Sequence, residues 1–254
     1  MAPANPTHVA DLLRRLTVDP GRPRLTWYGD DGERIELSGA VFENWANKSL
    51  NLLVEEFDAK GATTVVLDAP AHWRTVVWAT AVWRAGATLA PGLAPSPTAP
   101  VDVVVTTRPT AWACTRAEVV ALALPALARR FDGELPPGAL DAAGAVMTYG
   151  DQIGYVADLD PAAPALLDGP THAELVDWAQ AATDPHGTAL PTTAERVVLE
   201  ADDLTATLRR ALHVLAADGS LVLVSPATAA ALRDDPARRA RLVTGERATL
   251  DLLG

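Results

Sequence analysis

Residues Gly61–Gly92, GATTVVLDAPAHWRTVVWATAVWRAGATLAPG, decide the fold class. Thr63–Leu67 is a short β-branched, apolar run without polar alternation, the pattern of a strand buried on both faces in a parallel sheet. Asp68-Ala69-Pro70 ends it, because proline lacks an amide donor and biases its predecessor toward extended geometry. From Ala71 to Ala85 the apolar spacing turns helical. Trp73, Val76, Val77, Thr80 and Trp83 form one stripe while Trp78 and Val82 lie off it, so this helix is expected to be covered on most sides. Gly86 stands where a left-handed residue closes a helix. Thr88–Ala90 then begins another strand, and Pro91-Gly92 ends it.

The flanks extend the same plan. Thr7–Leu16 predicts a short helix with Val9, Leu12, Leu13 and Leu16 inward. Arg24–Tyr28 and Glu33–Leu37, around Gly29-Asp30-Asp31-Gly32, read as an antiparallel hairpin. Ser38 is placed to cap a long helix over Gly39–Phe57, with Val41, Phe42, Trp45, Leu52, Leu53 and Phe57 inward and Lys60-Gly61 closing it. Downstream, Val101–Thr106 and Glu118–Leu124 read as strands, and Pro137 as the first residue of a helix running toward Met147. Ala165–Leu167 reads as a short strand and Thr171–Ala181 as a helix with Leu175 and Trp178 inward. Glu195–Glu200, Asp202–Ala217 and Ser220–Val224 repeat strand–helix–strand, with Asp202 as the cap and Gly219 as the stop. Ala227–Leu253 is expected to be helical. Alternating helices and buried strands predict an α/β fold: a mainly parallel sheet flanked by helices, with an N-terminal β-hairpin. The expectation is one domain over residues 1–254.

Composition excludes some functions. The 254 residues are 49% hydrophobic and 21% charged, with a net charge of −11. No basic cluster offsets that charge, so nucleic acid is not an expected partner. No apolar run is long enough to span a bilayer, and the N-terminus MAPANPTHVADLL lacks a signal core. Cys114 is the only cysteine, so no intrachain disulfide forms. It reads as a structural thiol beside Trp112, and the cytoplasm is the expected compartment. Dinucleotide, P-loop, hydrolase-elbow and zincin signatures are all missing. His8, His72, His172, His186 and His213 lack metal-ligand spacing, so no metal site is expected. Asp68 and Asp168 follow strands, where open α/β sheets place ligands, but capping or loop solvation is the favoured role for both.

Three segments carry a family resemblance. LTWYGDDGERIELSGAVFENWANKSLNLL, Gly61–Gly92 with its RAGA helix end, and ERVVLEADDLTATLRRALHVLAADGSLVLVSP together resemble the large N-terminal domain of the adenylate-forming superfamily, the AMP-binding acyl-CoA synthetases and their relatives. The resemblance is strongest over residues 24–225. More narrowly, the chain resembles a short, divergent, single-domain group related to that superfamily. The resemblance implies a phosphate loop of the form YTSGTTGxPKG followed by Ser/Thr-His and an apolar residue. Thr171, His172 and Leu175 match the follow-on. The residues before them, PALLDGP, lack the threonines, paired glycines and lysine through which such a loop holds phosphate.

Other implied elements are also missing. No tyrosine follows Tyr155 and no lysine follows Lys60, so neither the adenine-facing YGPTE-type motif nor the C-terminal lysine of the family can be matched. Lys48 and Lys60 have a solvated-face and a helix-end role instead. The expectation is therefore a truncated relative without catalytic residues or adenylation activity. It would serve as a binding or regulatory domain, with Asp168, Thr171 and His172 as ligand-binding candidates. ATP or AMP is disfavoured as a cofactor, and the partner is an unspecified small molecule or protein. A ligase using Arg108 or Arg196 for phosphate, and a structural interaction module, are the alternatives.

Overall fold

The computed structural model describes residues 6–98, 100–184 and 186–254. The first five residues, part of the stretch read above for a signal core, lie outside it. Helix α1 (Val9–Leu16) buries Val9, Leu12, Leu13 and Leu16, as its spacing requires. Strands β1 (Pro23–Tyr28) and β2 (Arg34–Ser38) pair antiparallel across a 3-10 turn. Helix α2 (Gly39–Phe57) begins where the Ser38 hydroxyl accepts from the Val41 amide at 3.3 Å.

Strand β3 (Thr64–Asp68), helix α3 (Trp73–Arg84) and strand β4 (Thr88–Pro91) form the opening unit. Gly86 adopts φ +75° and ends α3 as expected. Then come β5 (Val103–Thr106), β6 (Glu118–Ala121), β7 (Leu140–Asp141) and the single turn α4 (Ala142–Ala145). The chain continues with α5 (Leu175–Gln180), β8 (Arg196–Glu200), α6 (Leu204–Ala216) and β9 (Ser220–Val224). The last described elements are α7 (Pro226–Asp234), α8 (Pro236–Gly245) and β10 (Leu250–Asp251).

The fold is α/β, with parallel pairing distributed over two five-stranded sheets where a single sheet was expected. One has the order β10-β8-β9-β1-β2 and is parallel except for the β1–β2 hairpin. It belongs to a compact unit of residues Met1–Glu43, Pro70–Val76 and Leu175–Gly254. The other has the order β4-β3-β5-β6-β7, is parallel throughout, and belongs to a unit of Asn44–Ala69 and Val77–Glu174. The division falls inside α2 and inside α3. Among the described residues, no helix is long and apolar enough to cross a membrane.

Several local expectations change. Val41 is 40% exposed, because it lies one residue off the buried row Phe42, Ala46, Leu50 and Leu53. Asp58, not Lys60-Gly61, closes α2. It takes φ +50°, and the Ala59 amide reaches back to the Leu53 carbonyl at 3.2 Å, so a left-handed residue ends the helix. Lys48 is not a solvated-face residue, since its ammonium donates to the Tyr149 carbonyl at 2.6 Å and pairs with Asp151. Asn47 and Asn51 on the same helix bind the backbone of residues 150–154.

The helix expected from Pro137 begins at Ala142 and is capped by the Asp141 carboxylate, an acceptor that proline cannot provide. Asp203 caps α6 in place of Asp202. The left-handed residue after α6 is Asp218 at φ +60°. Gly219 is needed for a different reason: a Cβ there would come within 2.6 Å of the Glu195 carbonyl and 2.8 Å of the Val214 carbonyl. The expected C-terminal helix is two short helices followed by an edge strand, β10, parallel to β8.

Candidate functional site

The segment matching the follow-on of a phosphate loop is a proline-punctuated turn whose hydrogen bonds are made within its own protein surroundings. Pro161, Pro164 and Pro170 have no amide donor. The Ala165 and Leu166 amides donate to the Pro170 carbonyl at 2.9 and 3.2 Å. Leu167 donates to the Leu89 carbonyl and Gly169 to that of Leu166. The His172 amide reaches the Ala163 carbonyl, and Ala173 that of Pro161. The Thr171 amide and hydroxyl both donate to the same Glu174 carboxylate oxygen, at 3.0 and 2.9 Å. These bonds from the Thr171 amide and hydroxyl hold the Glu174 carboxyl below its ordinary range.

The turn is also anchored to the sheet. The Leu89 amide donates to the Ala165 carbonyl at 3.0 Å, the Trp83 indole to the same carbonyl at 3.0 Å, and the Thr88 hydroxyl to that of Pro164 at 2.9 Å. Leu166 is buried, and Leu167 packs on the cluster of Val66, Ala90, Val104 and Trp112. The expected strand Ala165–Leu167 is therefore realised as a single parallel bridge to β4. A Cβ at Gly169 would meet the Leu166 Cβ at 2.8 Å, so glycine serves tight leucine packing at this position.

The three sequence candidates share this turn but differ in what they offer. Asp168 is exposed and left-handed, with φ +54°. The Thr171 hydroxyl is committed to Glu174. His172 is buried, 3% exposed, and among the described residues its Nε2 has no partner. Burial pushes its pKa down, against hydrogen bonding to the backbone of Gly86 and Ala87 and the charge of Asp160. Its imidazole is thus held neutral at pH 7.

Asp68 has neither of the roles assigned to it from sequence. It is a buried acceptor at the end of β3, 7% exposed. The Thr106 hydroxyl donates to it at 2.7 Å, the Trp112 indole at 2.8 Å and the Arg108 guanidinium at 2.5 Å. Burial pushes this carboxyl up, but bonds from Arg108, Trp112 and Thr106 outweigh it and leave the pKa lowered. The pairing Asp68↔Thr106 in β3–β5 puts these groups together. The sequence signal was an aspartate and a Thr-x-Arg at the ends of two adjacent strands.

Arg196 is equally engaged. It donates to both the carboxylate and the carbonyl of Glu246, to Thr26 and to Ser220. Burial raises the Glu246 carboxyl, yet bonds from Arg34, Tyr28 and Arg196 bring it to about 2. Both arginines considered for phosphate are thus engaged by carboxylates, Arg108 by Asp68 and Arg196 by Glu246. Cys114 is exposed, although Trp112 two residues before it is fully buried. Among the described residues, no three His, Cys, Asp or Glu side chains could hold a metal ion together.

This architecture is the α/β fold found in solved acyl-CoA synthetases. An acyl-CoA synthetase from Brucella canis superposes with a TM-score of 0.68 over 92% of this chain, at 16% identity. A fatty acyl CoA synthetase from Mycobacterium tuberculosis superposes with a TM-score of 0.58 over 86%, at 14% identity. The chain spans 47% and 44% of those two proteins, just under half of each. No family model matches it. A Mycobacterium tuberculosis protein described as a TIGR03089 family protein is 36% identical over 248 residues, covering 92% of this chain and 93% of that protein. The chain belongs to the TIGR03089 family.

Proposed function

We propose that this chain is a binding or regulatory domain that keeps the acyl-CoA synthetase scaffold without adenylation chemistry. One observation carries the reading: the amides of residues 165, 166, 167, 169, 171, 172, 173 and 174 all donate to protein acceptors. A loop that holds phosphate needs several such donors pointing at the ligand. Asp168 adds negative charge and Leu166 and Leu167 add apolar bulk where a polyanion would need cations and small residues. Catalytic residues, a metal and ATP or AMP have no place in this account, and the expected compartment is the cytoplasm. The ligand is a small molecule or protein contacting the turn, with buried His172 as its best candidate contact. Thr171 and Asp168 contribute the rim.

We propose further that residues 1–254 unfold as one cooperative domain, because the division between the compact units interrupts two continuous helices. A single calorimetric transition is expected, and two resolved transitions would contradict it. The functional reading is tested by ATP–pyrophosphate exchange with a panel of acyl and aryl carboxylates. No exchange above a heat-inactivated control is expected. Carboxylate-dependent exchange abolished by a substitution in residues 164–172 would favour a divergent ligase.

A further inference from the structure

We infer that a groove beside β10 binds a small organic cation with an apolar body, of the alkylamine class. This inference is independent of the turn at residues 163–174, because every residue lining the groove belongs to the unit built on the β10-β8-β9-β1-β2 sheet. The groove encloses about 350 Å³ and is lined by Asp184, Leu190, Glu195, Thr249, Leu250 and Leu252, among others. That volume falls near the lower end of small-molecule sites, roughly 300–1,000 Å³.

Its wall is apolar for a reason visible in the strand. Leu250 and Leu252 are two residues apart, so they share one face of the extended segment. Both are half-buried, with part of their surface left to the groove, and Leu190 beside them is 6% exposed.

The polar groups give the sign of the ligand's charge. Two carboxylates, Asp184 and Glu195, lie on the lining, and among the described residues no lysine or arginine does. Asp184 accepts the Thr188 amide at 2.7 Å and the His186 amide at 2.8 Å, which keeps it ionised. Among the described residues, the Glu195 carboxylate accepts from a neutral donor, the Thr193 hydroxyl, at 3.1 Å. The Thr249 hydroxyl takes the Arg196 amide at 2.9 Å and so fixes the wall. An aliphatic stem along Leu250 and Leu252, with an ammonium at the carboxylates, matches apolar area and charge together, as lysine side chains do on protein surfaces. An anion of the same shape would meet two like charges, and a neutral alcohol would forgo the ion pair.

The test uses hexylamine, hexanol and hexanoate as probes, titrated into the full chain while amide chemical shifts of Thr188, Leu250 and Leu252 are followed. Saturable shifts with hexylamine are expected, weaker ones with hexanol and none with hexanoate. Glu195→Gln should weaken hexylamine about three- to fivefold without changing hexanol, the scale of one partly exposed ion pair. Rising salt should weaken hexylamine selectively. Leu252→Arg, which lays its own cationic stem in the groove, should abolish the shifts. If that variant does not fold, Glu195→Gln and the salt titration decide. Equal response to all three probes, no response to hexylamine, or insensitivity to both salt and Glu195→Gln would overturn the proposal.

Discussion

Two regions joined at one sheet edge differ in what holds them together. Residues 61–92 hold a strand, a covered helix and a second strand, and nearly every apolar side chain in them is buried. Residues 163–174 dock on the edge of β4 through Leu89, yet consist of two turns of chain, two buried or half-buried leucines and a closed set of amide bonds. The first region depends on shape and apolar area, which many sequences satisfy. In the second, a phosphate loop would depend on unpaired amides and a cation, which few substitutions preserve. A chain can therefore retain the first while the second becomes ordinary packing. The indole of Trp83 joins them, belonging to the helix of the first and donating to a carbonyl of the second.

Breaking that link should have the largest effect. Trp83→Ala removes a fully packed indole and leaves the Ala165 carbonyl with the Leu89 amide as its remaining donor, so a loss of about 3–5 kcal/mol is expected in denaturant melts. Trp83→Phe should cost less than half of that and separate packing from the hydrogen bond. The Asp68 hub lies wholly on the scaffold side. Asp68→Ala strands the Trp112 indole and the Thr106 hydroxyl, with an expected cost of about 2–3 kcal/mol, whereas Asp68→Asn keeps an acceptor and should cost about 1 kcal/mol. Equal losses from the two variants would show that charge, not hydrogen bonding, matters there.

Acid should weaken the scaffold through a buried histidine. Burial, reinforced by Arg74, pushes His72 from 6.5 to about 3, and its Nδ1 accepts the Arg74 amide at 3.2 Å. The folded value lies below the unfolded one, so the unfolded chain binds the extra proton between them. Stability from this residue is complete above pH 6.5 and is lost as pH falls toward about 3. His72→Gln should flatten the stability–pH curve in that window, measured by urea melts at stepped pH. The smallest effect belongs to the turn's surface. Glu174→Ala should barely move Tm but should speed amide exchange at Thr171, whose acceptor it removes.

Much of this contrast was legible in the sequence, for definite reasons. The strands at Val65–Leu67, Val103–Val105 and Leu221–Val224 are apolar runs with no alternative role, and the α1 face follows from spacing alone. Thr171 and His172 were read as the start of a helix, but α5 begins at Leu175 and they lie in the same turn as Asp168, each with its own fate. Those fates depend on a glutamate three residues on, on burial by distant chain and on the backbone angle of one residue. The Asp68 hub was missed because its partners come from the end of β5 and the turn after it, thirty-eight and more residues away. The ends of α1, α2 and α6 were read to within a few residues, whereas those of the later short helices were not. Left-handed Asp58 and Asp218 took positions where glycine would be the natural guess. Strand β10 escaped notice because two paired residues leave almost no pattern.

The central claim, a retained scaffold with a closed turn, is tested most directly by titrating Mg-ATP into the protein while following the amide resonances of residues 165–172. The account predicts no shift of those amides and no change in Tm at saturating nucleotide. Saturable shifts at Leu166, Leu167 and Gly169, accompanied by a nucleotide-dependent rise in Tm, would contradict it.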